Sequence, residues 1–319
     1  RSSLSLLAIS ILTDLMPDER GYIKQVCDAF GLESLSFLGE EIQLLNSLDT
    51  ALYYQESPFF DVMDMWLLHQ YELSSRRGAK VVLGGDWGDQ VMGSGIYVLD
   101  LFREGRWAQA WREFKLYPRH EGGTSLELLK HLFWYFILPA RISDRYEGLR
   151  YLLRRLALPW RPINPGGPAF PRAAQREHYD AVFGIHNIQS MELLDRMAAQ
   201  WGVEARLPFL DRRLVEFTMA IPSEENTRDG LSRRLEREAL DGILLDSIAR
   251  REIKGDYTDI ERICVVQAGL DARTTYLSVD AWRRTVKETW GKVWLKTKSD
   301  KAEKSTPVPS SSSMEASRT

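Results

Sequence analysis

The sequence predicts an α/β protein, in which a parallel sheet is flanked by helices and followed by a large helical C-terminal part. Two observations support this fold class. Up to about residue 95, short apolar runs rich in β-branched residues alternate with amphipathic segments, and from Val91 onward the hydrophobic spacing is helical. Strands that alternate with helices favour right-handed crossovers, so the strands are expected to run parallel.

The composition is that of a globular protein with a substantial core. The chain has 319 residues, 44% of them hydrophobic and 27% charged, and a net charge of −3. With no basic excess to neutralise phosphates along a duplex, we expect no nucleic-acid partner. No apolar run reaches the ~18 residues of a transmembrane helix, and we expect no membrane partner. Cys27 and Cys264 lack metal-ligand neighbours, which is typical of reduced core residues in a cytoplasmic protein.

Five elements are predicted in the first part of the chain. They are a buried strand over Leu6–Leu12, a helix from Pro17 to Gly31 with Asp18 and Glu19 in its first turn, a strand over Ser34–Leu38, a helix over Phe59–Arg76 and a buried strand over Lys80–Leu83. The last strand leads into a glycine-rich segment with two acids, Gly84–Gln90, which we call the acidic loop. Ligands of open parallel sheets bind at the carboxyl ends of strands, so this loop is the first candidate site.

The later part of the chain is predicted to be mainly helical. Its segments are Ile96–Leu116, in which Trp107 and Trp111 are expected to be core or packing aromatics, an amphipathic or buried helix over Leu126–Leu138, a proline-rich linker or lid over Leu158–Pro171, and a helix over Ala173–Trp201. His178 and His186, on the last of these, have no third ligand at metal spacing, which favours ordinary hydrogen-bonded histidines. Residues 300–319 contain almost no large apolar side chain and are predicted to be a disordered tail.

The acidic loop carries residues suited to phosphate or metal binding. Gly84, Gly85 and Gly88 permit positive φ and a close approach of a ligand to the backbone amides. Asp86 and Asp89 offer hard oxygen ligands for Mg²⁺ or partners for a cation. The alternative interpretation is a structural turn in which Asp89 caps the next helix.

A second segment, Glu204–Asp211, is called the signature segment below. Its proline cannot donate a hydrogen bond and restricts Leu207, which predicts a turn leading into a helix over Arg212–Ile221 with Asp211 as its N-cap. Arg206 is expected to pair with an acid such as Glu204 or with one from a neighbouring helix. A cap and a buried ion pair would explain the segment as scaffold, without direct contact with a substrate.

Together the two segments make the chain resemble the asparagine synthetase family, specifically its synthetase domain. In the family a strand ends in a Ser-Gly-Glu-Gly-x-Asp-Glu type loop, and Gly84–Gln90 is the corresponding segment here. Its Glu-x-Arg-x-Pro-Phe-Leu-Asp signature is matched in full by Glu204–Asp211. A lysine on a later loop contacts pyrophosphate in the family, and Lys254 matches that position. The resemblance runs from about Leu6 to Glu261.

This resemblance implies an ATP-dependent amide-forming ligase with an adenine nucleotide alpha hydrolase-like fold. A substrate carboxylate would attack the α-phosphate of ATP to form an acyl-adenylate, and ammonia or an amine would then displace AMP. The implied ATP and pyrophosphate site consists of Gly84, Gly85, Gly88, Asp89 and Lys254. Asp89 would also hold Mg²⁺, and Asp86 and Lys254 would be the catalytic residues.

The resemblance also implies a domain organisation and partners. Residues 1–299 would form one asparagine synthetase-like domain, with an α/β nucleotide-binding part over 1–95 and a mainly helical part over 96–299. The expected substrate is a small-molecule or peptide carboxylate, and ammonia would come from a glutaminase domain missing from this chain. A homodimer is compatible with the resemblance.

The chain departs from the family pattern at three points. The family's Ser-Gly-Gly-x-Asp-Ser pyrophosphate loop does not occur in this sequence, the third loop position is Asp86 in place of glutamate, and the last is the neutral Gln90. Either the chain is the C-terminal part of a longer protein, or it has lost ATP chemistry and binds a nucleotide or a partner without turnover. A lactam- or macrolactam-forming relative, using an internal amine, is the other alternative.

Overall fold

The structure is a computed structural model that describes residues 6–14, 19–43, 45–58, 63–92, 97–116, 170–229, 231–251, 265–266, 268–270 and 275–304. Within these residues the protein is a mixed α/β structure that is mostly helical, with parallel strand pairing, as the sequence predicted. Strand β1 (Leu7–Leu12) pairs with β2 (Glu33–Leu38), and β3 (Val81–Leu83) pairs with β4 (Glu204–Arg206). The sequence analysis missed β4, because three residues are too few to show a strand pattern.

The described helices are predominantly short, and two 3₁₀ turns lie among them, at Gly39–Glu41 and Pro208–Leu210. In chain order the helices are α1 (Arg20–Phe30), α2 (Leu48–Gln55), α3 (Met63–Arg76), α4 (Gly88–Met92), α5 (Tyr97–Arg103), α6 (Trp107–Leu116), α7 (Ala173–Phe183), α8 (Ile185–Gln200), α9 (Arg212–Ala220), α10 (Ser223–Asn226), α11 (Arg234–Ala239), α12 (Asp246–Ala249) and α13 (Thr275–Lys304).

The strands are less buried than the sequence predicted. β1 is half-buried along its whole length. In β3 the outer residues Val81 and Leu83 are 39% and 65% exposed, and only Val82 between them is half-buried. An apolar run is therefore a poor guide to burial here, because each parallel pair has one neighbour per strand among the described residues.

Helix α1 ends as predicted and begins later than predicted. Gly31 follows it in the left-handed conformation, with φ 61°, and its N–H is bonded to the carbonyl of Cys27. The first helical residue is Arg20, so Glu19 precedes the helix and no acid lies in its first turn. Cys27 is the buried residue of this helix, and Phe30 is 48% exposed.

One large hydrophobic cluster joins the N-terminal and C-terminal parts of the chain. Its fully buried members include Trp66 on α3, Met197 on α8 and Trp282 on α13, together with Leu48 and Leu52 on α2. The sequence analysis did not predict α2, although α13 packs directly on it. At about 25 cal/mol per Å² of apolar area, these large side chains are the main source of stability around the sheet.

A second cluster is formed by α5, α6 and α7, and Trp107 and Trp111 pack at its edge against Phe102 and Phe114. Tyr97, Leu101 and Ala110 are buried in it, but Trp107 and Trp111 are 65% and 55% exposed. Both tryptophans lie on a face of α6 next to the one that carries Ala110, so they are packing aromatics rather than core residues. Their spacing of four residues therefore marks one helix face correctly but does not decide whether that face is buried.

Helix α7 is held at its start and in its middle. The buried carboxylate of Asp100 accepts hydrogen bonds from the N–H groups of Ala173 and Ala174, at 2.8 and 2.9 Å, and so caps α7 from another helix. Further along α7, Nε2 of buried His178 donates to the carbonyl oxygen of Val91 in α4, at 2.8 Å. His178 is thus a hydrogen-bonded core histidine, as predicted, and it ties α7 to the helix that follows the acidic loop.

Several sequence predictions fall partly or wholly outside the described residues. The predicted helix over Leu126–Leu138, Cys264 and nearly all of the proline-rich linker lie there. The predicted helix over Ala173–Trp201 is divided at Gly184 into α7 and α8. Helix α13 continues to Lys304, past the predicted start of the tail at residue 300. None of the helices in the described part of the chain combines the length and apolar character that a bilayer crossing requires.

Candidate functional site

The acidic loop and the signature segment lie side by side at the carboxyl ends of two paired strands. Val81 is opposite Glu204 and Leu83 is opposite Arg206 in the parallel register of β3 and β4. The pairing continues into the loop, because the N–H of Gly84 donates to the carbonyl oxygen of Arg206 at 2.9 Å. Two motifs that are about 120 residues apart in sequence are therefore one structural unit.

The backbone of the acidic loop differs from the prediction. Gly84, Gly85 and Gly88 do not adopt positive φ, whereas Trp87 does, with φ 65°. The side chain of Trp87 is 7% exposed and belongs to the large hydrophobic cluster. A bulky residue in the left-handed region costs roughly 1–3 kcal/mol, so burial of the indole must hold the loop in this shape.

At two of the glycines an added Cβ atom would lie too close to neighbouring side chains, and neither glycine has a positive φ. A Cβ atom at Gly88 would lie 2.8 Å from Nη2 of Arg233 and 3.2 Å from the ring of Phe209. A Cβ at Gly84 would lie 2.6 Å from Oδ2 of Asp86. The Asp86 carboxylate therefore folds back over the start of the loop, and the signature segment's Phe209 packs against its end.

Asp89 lies in the first turn of α4 and is paired with a cation. Its Oδ1 atom is 2.7 Å from Nη2 of Arg233, and the two side chains are 49% and 32% exposed. The structure confirms that the acidic loop can hold a positively charged partner, and the partner is an arginine from a distant segment. Among the described residues no group of three or more His, Cys, Asp or Glu side chains is arranged to hold a metal ion.

Asp86 is close to a buried tyrosine on α3. Burial, and then the negative charges of Asp86 and Asp195, raise the pKa of Tyr71 to about 12. Tyr71 is 5% exposed, so its hydroxyl remains protonated throughout the neutral range. Neither Tyr71 nor Asp195 was among the residues predicted for the site.

The rest of the signature segment has the structure predicted for it. After the 3₁₀ turn at Pro208–Leu210, the Asp211 carboxylate accepts a hydrogen bond from the N–H of Arg213 at 2.9 Å and caps α9. That bond and the Arg213 guanidinium lower the pKa of Asp211 to about 2.

Arg206 pairs with Glu204 at 2.8 Å, as predicted, but the two side chains are 58% and 60% exposed. The expectation of a buried ion pair is therefore wrong, because β4 has an outward face at both of its ends. An exposed pair of this kind contributes little to stability.

A cluster of arginines on and before α11 faces the acidic loop. Arg233, the N-cap of α11, has φ 55° and pairs with both Asp89 and Glu236. Burial raises the pKa of the Glu236 carboxyl, against the opposing effect of Arg233 and Arg237. Burial likewise lowers the pKa of Arg237, and the neighbouring Arg233 adds to this effect. No local pattern predicts this cluster, because alternating Arg and Glu are typical of a solvated helix face.

The segment that leads to Lys254, the third part of the predicted site, is described only as far as Arg251. Nη2 of Arg251 lies 2.7 Å from the Glu19 carboxylate, and its guanidinium stacks over the ring of Tyr22 at 4.6 Å. Both partners belong to the beginning of α1, which follows β1. Lys254 itself lies outside the described residues, so its predicted place opposite Asp89 stays a prediction.

The architecture and the loop define the class of this protein. It is an α/β protein with paired parallel strands, a glycine- and acid-containing loop at their carboxyl end, and a long-range Asp–Arg pair at that loop. The family model described as asparagine synthase matches residues 2–289. The chain belongs to the asparagine synthase family, as its motifs indicated.

A curated relative supports the same assignment. The chain is 23% identical over 238 residues to asparagine synthetase (glutamine-hydrolyzing) 3 of Bacillus subtilis strain 168, an alignment that covers 74% of this chain. The same alignment covers 35% of that relative, so the chain spans about a third of its length.

Proposed function

We propose that this chain is the synthetase part of an ATP-dependent amide-forming ligase, which activates a carboxylate as an acyl-adenylate. The observation that carries the proposal is the union of the acidic loop with the signature segment on strands β3 and β4. Family membership supports the ligase class. The loop lies at the carboxyl ends of parallel strands, where diverging loops leave room for a ligand.

One carboxylate of the acidic loop, that of Asp89, fits a magnesium–triphosphate complex. Mg²⁺ at phosphate sites is usually bound through one or two carboxylates, with phosphate oxygens and waters completing the shell. Asp89 is half-exposed and is the loop acid placed for that role, while Asp86 is turned back over Gly84. When bound, Mg²⁺ would offset negative charge on the phosphate chain.

Two further residues have proposed roles in the reaction. Lys254 follows Arg251 by three residues, so chain length alone keeps it within roughly 11 Å of that residue. It would offset the charge that develops on departing pyrophosphate, a type of electrostatic contribution that is often the largest in catalysis. Asp86 would act near the acceptor amine.

The acceptor and the complete reaction are part of the proposal. Ammonia from a glutaminase domain would give an asparagine-type amide, and an amine on the substrate itself would give a lactam or macrolactam. A member that binds nucleotide or a partner without turnover is the second candidate function. Two observations favour this second function. Asp89 is already paired with Arg233, and the loop ends in the neutral Gln90.

ATP–pyrophosphate exchange measured on the full-length protein tests the proposal. We expect exchange that depends on a carboxylic acid, with aspartate as the first acid to assay, and loss of exchange by at least tenfold in Lys254→Ala. Lys24→Ala is the matched control, because Lys24 is an exposed lysine on α1 paired with Asp28. Carboxylate-dependent exchange that survives Lys254→Ala would remove Lys254 from the site, and absence of exchange with any acid would favour the binding function.

A further inference from the structure

Arg237 on α11 donates hydrogen bonds to three backbone carbonyl oxygens. Its Nη1 atom donates to the carbonyl oxygens of Ala249 and Arg251, at 2.6 and 2.8 Å, and its Nε atom donates to that of Ser232, at 3.1 Å. The guanidinium therefore joins Ser232, which precedes α11, to Ala249 at the end of α12 and to Arg251, two residues further on. Arg237 is half-buried, and these three carbonyl oxygens replace part of the water that its guanidinium loses.

The two ends of this connection lie at different strand pairs. One helical turn before Arg237, Arg233 is paired with Asp89 in the loop that follows β3. In the other direction, Arg251 is paired with Glu19 and stacked on Tyr22 at the start of α1, which follows β1. Helix α11 is thus connected through Arg233 to the loop after β3, and through Arg237 to the Arg251 segment beside the start of α1.

A second contact fixes α12 against α1. The hydroxyl of Ser247 donates to Oε1 of Gln25 at 2.7 Å. The segment from residue 247 to Arg251 is therefore held on one side by α1 and on the other by Arg237. Without the guanidinium, its connection to the acidic loop through α11 would be lost while its contacts with α1 remained.

We propose that Arg237 is a positioning residue of the phosphate site: it sets the distance between the acidic loop and the Arg251 segment by locking both to α11. This proposal rests on the proposed function, since it concerns the same ligand, the pyrophosphate end of a nucleotide. Arg237 acts through the backbone that it holds and does not itself contact the ligand. Because a lysine has a single nitrogen and cannot reproduce the fork of donors, charge and positioning are separable by substitution.

Binding of inorganic pyrophosphate with Mg²⁺ to the full-length protein, measured by titration calorimetry, tests this role. We expect Arg237→Lys, which keeps the charge, to raise the Kd at least fivefold, and Arg237→Gln to raise it at least tenfold. Arg234→Gln is the matched control, since Arg234 is on the same helix and pairs within it with Glu238 at 2.6 Å. We expect its Kd to stay within twofold of wild type.

The outcomes separate positioning, charge and the underlying function. Unchanged binding in Arg237→Lys, with loss only in Arg237→Gln, overturns the positioning role and leaves a charge effect. Binding lost in Lys254→Ala but retained in both Arg237 variants overturns the inference alone. No pyrophosphate binding in the wild type, or none sensitive to Lys254→Ala, contradicts the proposed phosphate site itself. If Arg237→Gln does not fold, Arg237→Lys and its Kd decide the question, at a temperature where its thermal unfolding shows it to be native.

Discussion

The guanidinium of Arg233 lies 2.7 Å from the carboxylate of Asp89, and the two residues are 144 positions apart in the chain. The contact joins the N-cap of α11 to the first turn of α4, at the end of the acidic loop. Arg233 makes this contact from a left-handed backbone conformation, with φ 55° and ψ 33°. This conformation is unfavourable for a residue other than glycine, and the long-range pair with Asp89 helps to hold Arg233 in it.

We predict that Arg233→Gly is more stable than Arg233→Ala by about 1 kcal/mol, because glycine adopts the left-handed region without steric cost. Both variants lose the pair with Asp89, so their difference isolates the backbone. The free energies of unfolding are to be compared by urea titration. At Arg234, which is helical, the order should reverse, with alanine the more stable. Equal stabilities of the two Arg233 variants would be inconsistent with a left-handed residue.

A methyl group at Gly88 should destabilise the protein by about 1 kcal/mol, even though alanine favours a helix. It would meet the ring of Phe209 and displace the guanidinium of Arg233 from Asp89. Gly85→Ala is the control, since nothing lies within 4 Å of its added Cβ. Chemical denaturation of both variants checks this, and a Gly88→Ala protein as stable as Gly85→Ala would contradict the close packing at the loop.

Stability should fall as the pH drops below about 6.5 because of His178. Burial lowers the pKa of His178 below its usual value, against a smaller opposing effect of its bond to Val91. The unfolded chain therefore binds this proton more readily than the folded one, so stability is fully present above the unfolded pKa and is lost as pH falls through the folded pKa.

The matched variant is His178→Gln, whose amide can still donate to the Val91 carbonyl but does not titrate. Urea midpoints between pH 7.5 and 5 should decline more steeply for the wild type than for this variant. Parallel declines would show that the histidine is not buried as a neutral group.

Asp211→Ala should lower the urea midpoint, because it removes the cap of α9. Asp211→Asn should lower it less, since the amide oxygen can still accept the N–H of Arg213. The pKa of Asp211 is lowered to about 2 by its bonds to Arg213. The advantage of wild type over Asp211→Asn should therefore be complete above about pH 4 and disappear as pH falls through about 2. An advantage that persists below pH 2 would argue against the carboxylate as its source.

Features that depend on neighbours in the chain could be predicted from the sequence. The alternation of strands and helices, the turn at Pro208, the Asp211 cap and the pairing of Arg206 with Glu204 are all present in the structure. Each follows from proline geometry, capping or periodicity over a few residues. The same local motifs sufficed to indicate the asparagine synthase family, to which the match over residues 2–289 assigns the chain.

Features that depend on which surfaces meet were decided only by the tertiary structure. The pairing of β3 with β4, the exposure of Trp107 and Trp111, and the choice of Arg233 as the partner of Asp89 follow from no local pattern. Periodicity identifies a helix face but does not show which element covers it. The local sequence around Asp89 likewise does not indicate a partner 144 residues away. Burial and long-range ion pairs are properties of the assembled packing, because they depend on elements brought together only when the whole chain folds.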